Sequence, residues 1–271
     1  MEKEYLKKLH ESLIEILDYV CEICDKNNLQ YFIAYGTALG AYRHGGFIPW
    51  DDDIDIVMPR NDYEKLANIL RKSNEKYTYQ DEQNEKEYFL LFAKVRKNNT
   101  IFIERIVDTQ YKHNGIYIDV FPLDYVDDKN SLSFKLKLKI IKYIRHVLRF
   151  KNCRTVFKEK ESLIKLCSDY VISLPAFLVS NKRLLKIEKK LMTSNGSEFT
   201  AKYFAMFDSA TEGIVLEKDY YLPSKKIKFE NKMYNVPGKI EKYLEKHYGE
   251  KYMQLPPEDK RHTHEPIKIK F

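Results

Sequence analysis

Acid and aliphatic residues alternate through Asp53-Ile54-Asp55-Ile56-Val57, shortly after a glycine turn, Gly36-Thr37-Ala38-Leu39-Gly40. A repeat of two fits an extended strand, whose side chains point to opposite faces in turn. Ile54 and Ile56 are therefore expected in a core, with Asp53 and Asp55 on an open face. Two carboxylates on one face suit a hard divalent cation, magnesium or manganese, and such an ion can neutralise charge as a phosphorus–oxygen bond breaks. The strand is a candidate catalytic edge. A calcium-binding loop fails on spacing: counted from Asp51, Ile56 falls where glycine is required and Asp62 where a bidentate glutamate is required.

The residues before the acids have their own logic. Gln30-Tyr31-Phe32-Ile33-Ala34-Tyr35 reads as a buried strand, and Gly36 to Ala41 as the opening of a short helix after a tight turn. Amides at a helix start attract phosphate. Gly36 would let a ligand approach the backbone, Thr37 would cap the helix or bind a phosphate oxygen, and Arg43 would contact that phosphate. Farther on, Phe89 to Arg96 reads as a strand in which Lys94 interrupts an apolar run, reaching either a phosphate or a site acid, or serving as a structural lysine.

The run Tyr35-Gly36-Thr37 to Arg43-His44, with Gly46-Phe47-Ile48-Pro49-Trp50-Asp51-Asp52-Asp53-Ile54-Asp55, closely resembles the LicD family of phosphocholine transferases, relatives of fukutin and the fukutin-related protein. Gly115 to Asp124 resembles that family's second acidic strand, and Tyr248-Gly249 with Leu255 to Arg261 its closing segment. The resemblance implies an α+β fold of the nucleotidyltransferase (DNA polymerase beta-like) type, with a mixed sheet core. It places Gly36 and Thr37 on the turn, Asp53 and Asp55 as paired acids, and Asp119 as the third. It implies transfer of phosphocholine from CDP-choline to a hydroxyl of a cell-surface glycan, such as a teichoic acid precursor, with CMP released. Asp53, Asp55 and Asp119 would hold Mg2+ or Mn2+. Arg43, His44, Lys94, Lys260 and Arg261 would contact substrate, and Trp50 with some of the 21 tyrosines would cage the choline. Read on its own, Asp119 lies between Ile118 and Val120, where a buried carboxylate needs a partner, either a metal or a salt bridge.

Composition is that of an ordinary folded chain: 271 residues, 44% hydrophobic, with nine glycines and nine prolines. Leu6, Leu9, Leu13, Leu17 and Val20 are spaced for an amphipathic first helix over about 3–27, unlike an export signal, which points to the cytoplasm. Val171 to Val179 is too short to span a membrane. Cys21, Cys24, Cys153 and Cys167 read as buried thiols, Cys24 continuing the apolar stripe of that helix. The charge of +7 is concentrated: Lys135 to Lys160 holds ten basic residues and one acid among leucines and isoleucines. Such a segment lies on an anionic membrane surface, binds an anionic polymer, or exposes its charge while its apolar side completes the core. No nucleic-acid motif accompanies it.

We expect one catalytic domain, 1–271, with a core over about 28–128, a mostly helical basic insertion over about 129–200 and a closing region over about 201–271. In Lys260-Arg261-His262-Thr263-His264 the donors either close over the substrate or form a surface tail. The competing readings are a nucleotidyltransferase, a transferase of another CDP-activated phospho-alcohol, and a non-catalytic adaptor at a membrane surface.

Overall fold

The structure, a computed structural model, describes residues 3–72, 75–104, 111–152, 163–207, 214–261, 263 and 266–271, with the side chains of Lys3 and of 163–169 outside that description. Cys153, Arg154, Lys158, Lys160, His262, His264 and the Cys167 side chain lie outside the described residues.

Helix α1 (Lys3–Lys26) forms where the apolar spacing requires it. Leu9, Leu13, Ile16, Leu17 and Val20 are fully buried along one side, and Cys21 and Cys24 extend that stripe. Burial, with the charges of Asp25 and Asp62, pushes the Cys24 thiol up to about 12, so it remains a small apolar core group at neutral pH.

The sheet is built on β6 (Tyr117–Val126). Its first residues pair antiparallel with β4 (Ala93–Lys97), its middle pairs parallel with β2 (Asp55–Pro59), and its end pairs antiparallel with β7 (Tyr203–Met206). With β1 (Phe32–Ile33), β3 (Tyr77–Gln80) and β8 (Ile214–Glu217), the order is β1-β2-β6-β4-β3, and β7 and β8 continue from β6. The class is therefore α+β with a mixed sheet. Helix α3 (Arg60–Leu70) follows β2 and is tied to β6 by Arg60, whose guanidinium donates to both oxygens of fully buried Asp124 at 2.7 and 2.8 Å. A two-pronged, desolvated pair of this kind fixes orientation as well as distance.

Three expected strands have different limits. The strand expected over 30–35 shrinks to Phe32–Ile33, because Tyr35 turns the chain with φ +45° and opens α2 (Tyr35–His44). The acidic strand starts at Asp55, so Asp53 lies in the preceding loop and strand pleating does not orient it, although Ile54 and Ile56 are fully buried as expected. Phe89 to Phe92 lie before β4.

Helices α4 (Leu132–Asn152), α5 (Leu163–Phe177) and α6 (Asn181–Met192) follow β6 and share a separate apolar cluster that includes Ile141, Ile144, Leu148, Leu184 and Met192. The chain then returns to the sheet through β7, β8 and the single turn α7 (Lys218–Tyr221). A hairpin of β9 (Lys225–Phe229) and β10 (Lys232–Val236) packs on α2 and β1, and α8 (Ile240–Tyr248) packs on α2. The hairpin turn grips the loop ahead of the acids: Glu230 accepts the Phe47 N–H at 3.0 Å and donates its own N–H to the Gly45 carbonyl at 2.8 Å. In a separate two-stranded sheet, β5 (Ile101–Ile103) pairs with β11 (Lys268–Lys270).

Candidate active site

The parallel ladder between β2 and β6 sets Asp55 opposite Asp119, so two acids distant in sequence become neighbours. On the other side of β6, the antiparallel register sets Lys94 opposite the same aspartate. Lys94, 4% exposed, sits 2.9 Å from Asp119 Oδ1 and donates to Oδ2 at 3.3 Å, with its amine 3.4 Å from the centre of the Tyr117 ring. Lys94 is thus ion-paired with the Asp119 carboxylate. Burial raises the Asp119 pKa to about 6; Lys94 opposes the rise, and the charges of Glu104 and Asp53 add to it. Oδ1 is buried and faces the Lys94 amine as an ion pair.

The glycine turn holds the first acid by its backbone. Thr37 is buried, and its hydroxyl accepts the Asp55 N–H at 2.9 Å. It does not cap α2, whose N-cap is Ala34, with no side-chain cap. A Cβ on Gly36 would lie 2.8 Å from Asp51 Oδ2, so the missing side chain makes room for that carboxylate. Ahead of it, Tyr35 occupies left-handed backbone space that costs an aromatic residue about 1–2 kcal/mol. Its N–H donates to the Tyr243 hydroxyl at 3.2 Å, and its own hydroxyl donates to Met206 Sδ.

An aromatic wall rises beside the acids. Phe121 is two residues after Asp119 on β6, hence on the same sheet face. The Tyr35 ring meets Phe121 edge-on at 5.9 Å and His247 edge-on at 5.0 Å, and Phe92 lies 4.4 Å from Phe121. Burial lowers the His247 pKa to about 4, so this imidazole is a neutral wall at physiological pH. Tyr248, on the same helix, feels the charges of Asp55, Asp51 and Asp53 and has its pKa raised, chiefly by desolvation.

Residues 28–157 match the family described as LicD/FKTN/FKRP, nucleotidyltransferase domain. Over these residues the chain is similar to the LicD family. It is 28% identical over 279 residues, covering 97% of each chain, to the lipopolysaccharide cholinephosphotransferase LicD of Haemophilus influenzae. Shorter matches of 59 residues, 22% of this chain, reach 46% identity with an uncharacterised protein of Rickettsia prowazekii and 44% with one of Rickettsia typhi. The glycine turn, the acids, Lys94 and Asp119 all fall within the family match, whereas His247 and Tyr248 fall beyond it.

The other expected site residues have different surroundings. Arg43 reaches the closing segment, donating to the carbonyls of Tyr252 at 3.0 Å and Gln254 at 3.3 Å and to His44 Nε2 at 2.9 Å. Burial lowers the pKa of both Arg43 and His44, with the Arg43 charge adding to the effect on His44. The Trp50 ring is covered by the Arg261 guanidinium at 4.5 Å, and Arg261 also donates to the Pro256 carbonyl at 3.1 Å. Lys260 is exposed on a single 3-10 turn, Glu258–Lys260. Asp51, Phe92, Phe121, His247 and Glu104 were not singled out from the sequence; Asp51 carried a signal in its place in the acidic run and Phe121 in its alternation with Asp119.

The donor set suits a hard cation. Carboxylate oxygens of Asp51, Asp52 and Asp53 all lie within 4.8 Å of one another, and Asp119 adds a buried carboxylate oxygen 2.9 Å from the Lys94 amine. All are hard oxygen ligands of the type magnesium and manganese prefer.

Proposed function

We propose that this chain transfers phosphocholine from CDP-choline to a hydroxyl of a lipid-linked glycan and releases CMP. The observation that carries the reading is the pairing of Asp55 with Asp119 across a parallel ladder, directly beside a wall of Tyr35, Phe92, Phe121 and a neutral His247. Acids beside aromatic faces suit a ligand that carries a diphosphate at one end and a quaternary ammonium at the other. The named activity of the Haemophilus influenzae relative, which aligns over nearly the whole chain, agrees with this chemistry.

In this reading Asp53, Asp55 and Asp119, with Asp51 beside them, hold Mg2+ or Mn2+. When bound, the ion offsets charge on the diphosphate as the bond to CMP lengthens. The amides at the start of α2 bind phosphate oxygens, and the aromatic wall receives the trimethylammonium group. The acceptor oxygen bonds to the choline-side phosphorus and the bond to the CMP oxygen breaks, taking its electron pair with CMP. Asp119, with a raised pKa, takes the hydroxyl proton. Lys94 holds Asp119 in place throughout.

The test is product analysis with CDP-choline, CDP-ribitol, CDP-glycerol, CTP and a nucleotide sugar, each with magnesium and a glycan acceptor. The expected products are CMP and an acceptor heavier by phosphocholine, by mass spectrometry. An acceptor carrying a nucleotide would establish nucleotidyl transfer instead. Turnover with only another CDP-alcohol would replace the donor and retain the acid site.

A further inference from the structure

Helices α4, α5 and α6 bury their own cluster and still leave a large apolar remainder outside. On α5, Tyr170, Val171, Ile172 and Leu174 are 47–67% exposed, and Leu178, just past its end, is 95% exposed. On α4, Leu132, Leu136 and Ile140 recur every four residues and form one exposed stripe. Single exposed leucines are ordinary on a protein surface, but a run of them on two packed helices requires something to cover it.

The charge around this remainder indicates what covers it. Lys135, Lys139, Lys142 and Arg149 are exposed on α4, and Lys182, Arg183, Lys186 and Lys190 on α6. Helix α4 contains no acid. The one acid of α6, Glu188, is 2% exposed and held by Arg145 at 2.6 Å. Among the described side chains of the three helices, every exposed charge is positive.

We propose that this three-helix face docks on an anionic bilayer surface. The exposed apolar side chains between Tyr170 and Leu178 and those of the first half of α4 enter the boundary between headgroups and acyl chains, and the lysines and arginines lie against lipid phosphates. A second copy of the chain is a poor occupant, because it would bring two strongly basic faces together. Crossing the membrane is a poor alternative, because no helix among the described residues is long and apolar enough to span it. Docking stands apart from the transfer chemistry, but it would hold the enzyme where a lipid-linked acceptor presents its hydroxyl.

The test is flotation of the full chain with vesicles of phosphatidylcholine, alone or mixed with phosphatidylglycerol. Binding to the anionic vesicles should exceed binding to the neutral ones at least about ten-fold and fall as salt is raised. A triple variant, Lys135→Gln with Lys139→Gln and Lys142→Gln, should lose most of that preference. Leu174→Ser with Leu178→Ser should weaken binding even at low salt. These positions are exposed, so unchanged thermal melting verifies that each variant remains folded. Absence of binding, equal binding to both vesicles, or variants that float like wild type would overturn the proposal. So would a dimer in sedimentation velocity that the leucine variant dissolves. Asp55→Asn should float like wild type while releasing no CMP, so failure of docking and failure of the transfer reading are separately visible.

Discussion

Replacing Lys94 with methionine keeps the side chain as far as Cε and removes its charged amine, leaving Asp119 desolvated without the cation that now faces it. Breaking a buried pair in this way costs about 3 kcal/mol when the remaining group stays ionised. The carboxylate has an escape, since it can bind a proton. Its folded pKa already lies at about 6, above the unfolded value of about 3.9. For an acid raised on folding, stability is greatest below the unfolded pKa and falls as pH climbs to the folded one. In wild type that decline ends near pH 6. Without Lys94 the folded pKa rises farther, by about two units if the full ~3 kcal/mol is expressed, since one unit is worth ~1.4 kcal/mol. The decline then continues to about pH 8.

Lys94→Met should therefore match wild type closely at pH 5 and fall about 3 kcal/mol below it at pH 8, or roughly 6–12 °C in melting temperature for a chain of this size. Urea and thermal unfolding in EDTA across pH 5–8 measure the difference directly. A loss of equal size at every pH would refute the argument, because it would assign the cost to lost packing on Tyr117 instead of to the Asp119 charge.

Asp53→Asn and Asp55→Asn should each abolish CMP release while shifting the melting temperature little, since neither side chain belongs to the apolar core; near wild-type turnover by both would remove the acid site. Thr37→Val strips the acceptor from the Asp55 N–H, so it should destabilise by about 1–2 kcal/mol in urea and lower turnover by displacing Asp55. Glu15, although burial pushes its pKa up, is held at about 2 by Lys76, Lys97 and Tyr77. An acid depressed on folding adds stability above its unfolded pKa and loses it as pH falls through the folded one, so Glu15→Gln should cost about 1 kcal/mol at pH 7, discounted for its 35% exposed side chain, and progressively less from pH 4 towards pH 2. Denaturant midpoints at pH 7, 4 and 3 follow that convergence.

The sequence by itself determined the elements whose signals are local. The leucine spacing of α1, the glycine turn into α2, the burial of Ile54 and Ile56, and an extended segment around Asp119 all arise from contacts between residues a few positions apart, which a periodic pattern records. The types of acid in the site were legible for the same reason, because a carboxylate in an aliphatic run is costly wherever the chain goes. Only the tertiary structure decided which distant groups meet. Register across β6 put Asp55 and Lys94 on either side of Asp119, and a one-residue slip would have sent each to the opposite face. The same pairing decisions gave Gly36 to the Asp51 carboxylate, Thr37 to a backbone amide, Arg43 to the carbonyls of the closing segment and the Trp50 ring to Arg261. They also brought His247 from α8 to the wall beside the acids. A hydrogen-bonding or aromatic side chain is compatible with many partners, and the one it takes depends on which strands and helices pack together, a long-range choice that local periodicity does not encode.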